Sequence, residues 1–344
     1  MTDDLSILTA TSVDELGADL WDNLSAGRAF QSARWYRFGE LSQPDCPPVY
    51  IIVSLHDRPI ARGTFWLVRN EPLPVSPFMR IWLAPLLRRR PLLICRSPLS
   101  NSSGLILPEG PVREAALRAI VAQAQEQARR RHCSFLMFDY IDPAQLKAAW
   151  PAGCRSLEVP GPGTCMRLEW PSFEAYLLAN GRKNRQDFWH SQREMEKAGI
   201  QIDRLAEAPD IDQALGLIRR VEKTHGSAAN PWIMGMLEHL PMVGGCIVQA
   251  STSGRLVGCG LLLYDADTQL ALALGHARGT PHVYFRLLYA SLEDAFEKHV
   301  RHLRWGSGAY EVKTRLGFQQ ENNNHIIFHG EGRLAGLIAR MAAG

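Results

Sequence analysis

Two distant stretches of this chain run through the same order of elements, and that order limits the available folds more than any short motif does. Val49-Tyr50-Ile51-Ile52-Val53-Ser54 and Ile60 through Val68 are strand-like apolar runs separated by His56-Asp57-Arg58-Pro59, which predicts a hairpin. Cys246 through Ala250 and Leu256 through Tyr264 repeat the pattern around Ser251-Thr252-Ser253-Gly254. A long amphipathic helix follows each hairpin. Leu117, Ile120, Val121, Ala124 and Ala128 form one apolar stripe, leading into the strand Phe135-Leu136-Met137-Phe138. Tyr284, Leu287, Leu288, Ser291, Leu292, Ala295 and Phe296 form the other, ahead of Leu303-Arg304-Trp305.

A repeated hairpin, helix and strand predict duplication of a mixed α/β fold. The length of 344 residues and the 46% apolar share support two cores. The connection falls at Val159-Pro160-Gly161-Pro162-Gly163, giving domains at 1–163 and 164–344. Helices are expected in front of each unit: Val13 through Leu24 before the first, Phe173 to Asn180 and Asn184 to Lys197 before the second.

The chain has no run of about 18 consecutive apolar residues, and Leu83 to Leu87 abuts Arg88, Arg89 and Arg90, so a membrane span is not expected. Together with the acidic start Met1-Thr2-Asp3-Asp4, this predicts a soluble cytoplasmic protein. Seven widely spaced cysteines lack a C-x-x-C pair, there is no H-E-x-x-H and no acidic calcium loop, so no metal is expected. No G-x-S-x-G presents a serine nucleophile. A net charge of +3 does not by itself announce nucleic acid, although Arg182-Lys183-Asn184-Arg185 and two arginine triplets are locally basic.

Three stretches carry a family likeness: Phe173 through Gly199, Arg255 through Tyr264, and above all Gly306-Ser307-Gly308-Ala309-Tyr310-Glu311-Val312-Lys313 with Gly317-Phe318. The chain resembles the Fem-type peptidoglycan-bridge aminoacyltransferases and related GNAT proteins of peptidoglycan or exopolysaccharide biosynthesis. The resemblance implies tandem GNAT-like domains, the first a scaffold and the second bearing the cleft, and transfer of an acyl group to an amine. It implies aminoacyl-tRNA or acyl-CoA as co-substrate, with no tightly bound cofactor, and a small-molecule or carrier-bound amine as acceptor. The helix at Asn184 to Lys197 does not extend into the long arm of the bridge-forming enzymes.

Acetyl-CoA-using GNAT proteins place successive backbone N–H groups at the long helix start, where they attract a pyrophosphate. The matching stretch here is Gly275-His276-Ala277-Arg278-Gly279-Thr280-Pro281, in which only Gly279 fits and Pro281 lacks an N–H. That favours aminoacyl-tRNA over ordinary acetyl-CoA. Arg278 could hold a phosphate there, with Thr280 and Tyr284 beside it, Thr280 also reading as the helix N-cap. Arg182, Lys183 and Arg185 are further phosphate candidates, and Trp232 a stacking face.

Amide formation needs a place for charge to go as the carbonyl becomes tetrahedral. Lys313 is the leading candidate, because Gly306 and Gly308 let the backbone bend near a ligand and a short helix would aim the lysine inward. Tyr310 shares that loop. His276, His225 and His282 are candidate bases for the amine's proton, although an isolated histidine is more often structural. Two alternatives stay open: an acyl-CoA or carrier-protein-dependent N-acyltransferase, and a catalytically silent GNAT-like binding module.

Overall fold

The computed structural model describes residues 5–72, 77–280 and 282–329, with the side chains at 77–80, 82 and 83 also outside the description. The chain forms two compact units, one running to Pro162 and resuming at Asn322, the other spanning Gly163–Glu321.

In the first unit β1 (Leu5–Ala10) precedes three helices, α1 (Val13–Leu16), α2 (Ala18–Ser25) and α3 (Ala33–Ser42). The single helix expected over Val13 to Leu24 is broken at Gly17, whose φ of 81° only glycine adopts without strain. The hairpin of β2 (Pro48–Leu55) and β3 (Arg58–Val68) turns through His56 and Asp57, both at positive φ, the geometry that matches strand twist. Then come α4 (Pro77–Arg89), β4 (Leu92–Cys95), β5 (Leu105–Ile106), the amphipathic α5 (Arg113–Arg130), β6 (Phe135–Ile141), α6 (Pro143–Leu146) and β7 (Cys154–Glu158).

The second unit opens on β8 (Thr164–Arg167), α7 (Phe173–Ala179) and α8 (Gly181–Lys197). It continues through β9 (Gln201–Leu205), α9 (Ile211–Thr224), α10 (Ile233–Glu238), and the hairpin β10 (Cys246–Thr252) and β11 (Arg255–Asp265). It closes with β12 (Thr268–His276), α11 (Val283–Glu297), β13 (His302–Trp305), α12 (Tyr310–Arg315) and β14 (Gln319–Gln320). A last strand, β15 (His325–His329), belongs to the first unit.

The two sheets share one plan. The first runs β1-β2-β3-β4-β6-β15-β7, with β5 on β3, and the second β14-β8-β13-β12-β11-β10-β9. Each contains one parallel pair, β4 with β6 and β12 with β13, joined by a long crossover helix. The expected division at 163/164 therefore needs correction at its far end. From Asn322 the chain leaves the second unit, and β15 inserts between β6 and β7, pairing Ile327 with Phe138 and with Ser156. In the second sheet the equivalent slot, between β13 and β14, is filled by β8. Only the first sheet takes a strand from outside its contiguous run, because β8 lies within Gly163–Glu321. A second correction concerns the starts of the units: each opens on a strand of its sheet rather than on helices.

Apolar burial sits where the periodicity put it. Leu117, Ile120, Val121 and Ala124 of α5 pack on Ile51, Phe65 and Leu93 in the first core. Leu287, Leu288, Leu292 and Ala295 of α11 are buried in the second unit. Arg62 of β3 lies fully buried, 4.0 Å from the Trp21 ring, and donates to the Gln31 side chain at 2.7 Å. Burial holds its guanidinium down at about 10.

Candidate functional site

In the second unit the parallel pairing of β12 and β13 stops before β12 does. The register runs from Thr268 opposite His302 to Ala271 opposite Trp305, with a last backbone bond from Gly306 to Ala271 at 3.3 Å. Beyond it β12 continues to His276 without that partner, and the chain after Gly306 turns away through Gly308 (φ 86°) and Ala309 (φ 48°) into α12. Leu272, Ala273 and Leu274 are accordingly only half-buried. A parallel pair that parts in this way leaves strand-end groups facing a crevice, where α/β sheets bind their ligands.

Glycines let helices close on both faces of this sheet. A Cβ on Gly258 would sit 2.4 Å from Val283 of α11, and one on Gly275 only 2.5 Å from the backbone nitrogen of Ile218 in α9. α9 was not anticipated, yet Asp210 caps it, accepting from Gln213 N at 2.9 Å, and Ala214, Leu217 and Ile218 bury its inner face. That capping residue and that spacing stood in the sequence as its signal.

Lys313 lies on α12, 8% exposed, and donates to the carbonyl of Gly306, at the point where the two strands part. Burial lowers its amine from 10.5 to about 8, an effect opposed by Glu321. Glu321 is itself clamped by Arg304 through two donors, one of them at 3.0 Å. The pairing of Glu321 with Arg304 had no signal in spacing, because β8 lies between their strands.

Tyr310 opens α12, three residues before Lys313 and in the same turn as Gly306 and Gly308. His276 ends β12, its Nδ1 3.2 Å from the Ala277 carbonyl and its ring 6.1 Å from that of Tyr284 on α11. Thr280 is not the helix cap. α11 begins at Val283, so Thr280 instead donates to the Ala277 carbonyl at 2.8 Å, closing the loop behind β12. Arg278 is exposed in that loop, and Pro281 lies outside the described residues. His282 occupies the cap position at φ 64°, its ring edge-on to His190 of α8 at 4.6 Å.

Arg182, Lys183 and Arg185 lie in the first turn and a half of α8, and Arg185 donates to the Leu178 carbonyl at 2.8 Å. His225 is exposed at the end of α9, whereas Trp232, 8% exposed, packs its ring into the interior. The geometry therefore gathers Lys313, Gly306, Gly308 and Tyr310 at one side of the parting, and His276, Arg278, Thr280 and Tyr284 at the end of the neighbouring strand. His225 and Trp232 belong to the α9–α10 connection instead.

Two four-strand antiparallel runs, each joined to three further strands by a parallel pair through a crossover helix, decide the architecture. The chain has the tandem GNAT-like fold. FemX superposes over 98% of this chain and 100% of its own, with a TM-score of 0.62 at 10% identity. A tandem GNAT protein from the clavulanic acid biosynthesis pathway covers 96% of this chain and 99% of its own, with a TM-score of 0.55 at 14% identity. The C-terminal domain of a putative lysylphosphatidylglycerol synthetase from Agrobacterium fabrum covers 96% of each chain, again with a TM-score of 0.55 at 14% identity. No family model and no curated protein sequence matches the chain.

Against that tandem GNAT-like frame, no helix among the described residues is long and apolar enough to cross a membrane. Nor do three or more His, Cys, Asp or Glu side chains among them gather as a metal site would require. The described cysteines are free, and burial pushes several thiols up, Cys259 to about 12, so they pack as small hydrophobes.

Proposed function

We propose that the protein is an acyltransferase that moves an aminoacyl group from aminoacyl-tRNA to an amine acceptor, with its chemistry in the second unit. The observation that carries this reading is the Lys313 amine, withdrawn from water beside the opening of β12 from β13. With its value at about 8 the amine is mostly protonated at neutral pH, and in a dry site its charge stabilises the oxyanion of a tetrahedral intermediate. His276 and Tyr310 flank the same opening and are the groups through which the attacking amine would lose its proton.

The first unit serves as scaffold. At its own parallel pair the position after β4 is taken by Arg96, which binds Glu71 through two bonds of 2.8 Å and lies 3.9 Å from Asp139 at the same level of β6. A buried ion cluster fills the place where a substrate would enter.

The specific test is donor consumption. Purified protein is incubated with radiolabelled aminoacyl-tRNA pools and, separately, with acyl-CoA, together with candidate amines. Ribonuclease-sensitive transfer supports the reading. Consumption of acyl-CoA alone favours the second reading, which rests on the unpaired side of β12 from Leu272 to His276, an edge that a pantetheine arm could pair with. Consumption of neither donor would leave a GNAT-like binding module.

A further inference from the structure

We propose that the outer face of α8 is a track for the phosphodiester backbone of an RNA strand, which extends the reading above from the donor's reacting end to its body and rests on it. Asn184, Phe188, Ser191 and Met195 turn inward, with the Tyr289 hydroxyl of α11 donating to the Asn184 carbonyl at 3.1 Å. The outer face then presents Arg182, Arg185, Gln186, Trp189, His190 and Arg193 around a cavity of about 560 Å³. These positions recur at helical spacing, and between Arg182 and Arg193 this face carries no acidic residue. The run measures roughly 16 Å at 1.5 Å per residue, longer than a single anion needs.

Three features fit a polynucleotide. Arg182 and Arg193 form no ion pair with described residues, and Arg185 spends one N–H on a carbonyl, so the guanidinium charges are not neutralised from within. Trp189 is 55% exposed, and its ring meets Phe188 edge-to-face at 4.9 Å, which fixes the indole while leaving its surface to solvent among the arginines. An exposed indole amid positive charge is a base-stacking platform. Finally, His190 on the flank of the stripe touches His282, the residue that caps α11, so the track leads to the helix start beside the β12 opening. A membrane surface would need a broad apolar face, and the apolar residues of α8 face the core, with Trp189 the single large apolar side chain in the stripe.

The probe is a fluorescein-labelled RNA hairpin with a four-nucleotide single-stranded 3′ tail, followed by anisotropy from about 50 to 200 mM salt. Replacing all three arginines (Arg182→Gln, Arg185→Gln, Arg193→Gln) should weaken binding about a hundred-fold and flatten the log–log salt slope by about 2. Trp189→Ala should lose on the order of ten-fold, with Trp189→Phe restoring most of it. Lys313→Met should bind RNA as the wild type does while losing transfer, which separates this surface from the chemistry. Stripe-dependent RNA binding without transfer from aminoacyl-tRNA would uphold the track and sink the donor assignment. The proposal is overturned if the triple variant, with an unchanged circular dichroism spectrum, binds RNA within about two-fold of wild type. It is equally overturned if the wild type ignores RNA, or binds phosphatidylglycerol vesicles through these arginines in its place.

Discussion

Replacing Lys313 by methionine should cost activity and raise stability together. Lysine burial lowers the amine from 10.5 to about 8 in the folded chain, which at 1.36 kcal/mol per pH unit is a penalty of about 3 kcal/mol for holding the charged form. Below pH 8 both folded and unfolded states carry the proton, so the whole penalty is present. Between 8 and 10.5 the folded amine is neutral while the unfolded one keeps its proton, and stability climbs with pH. Methionine has similar length and no charge, but it removes the lysine's hydrogen bond to the Gly306 carbonyl and leaves that oxygen only the long 3.4 Å contact from the Thr164 hydroxyl, a loss of about 1 kcal/mol. The variant should therefore exceed wild type by about 2 kcal/mol in urea unfolding at neutral pH. Its advantage should shrink as pH rises toward about 10. A Met variant destabilised by more than about 1 kcal/mol, with a pH-independent difference, would refute the burial argument. So would unimpaired transfer, since then the amine has no part in the reaction.

Four further outcomes follow from packing, charge and strand pairing. Gly275→Ala drives a Cβ into the backbone of α9, and should cost about 2 kcal/mol or more in urea unfolding, lowering transfer through displacement of β12. Arg62→Ala opens a cavity beneath Trp21 and removes a donor to Gln31, and should destabilise by about 3 kcal/mol with no direct effect on donor binding. Burial raises Asp139 from 3.8 to about 6, so the folded state holds the extra proton between those values and wild-type stability falls as pH rises through them. Asp139→Asn should accordingly gain about 2 kcal/mol on wild type at neutral pH relative to about pH 4 in paired denaturation curves. Ending the chain after Glu321 should abolish cooperative unfolding of the first unit, followed by circular dichroism, because β6 and β7 lose the strand between them.

The sequence by itself determined what is local. The hairpin β2–β3, with His56 and Asp57 at its tip, and its counterpart β10–β11 are written in apolar runs and turn residues, and α5 and α11 in a 3.6-residue period. Those signals arise because neighbouring residues share one surface, so spacing alone reports which side is buried. The lysine that the glycine-rich loop pointed to could be named from sequence, but its dryness could not. That comes from burial in the assembled second unit, against the pull of Glu321, which lies beyond α12 in the sequence. Tertiary structure alone decided where β15 and β8 pair, since strands of four or five residues carry no mark of their partner until the sheets assemble. It also decided that α9 closes over Gly275. Pairing and packing across long separations are settled by which surfaces remain unburied once the local elements exist, and that information belongs to no single stretch of chain.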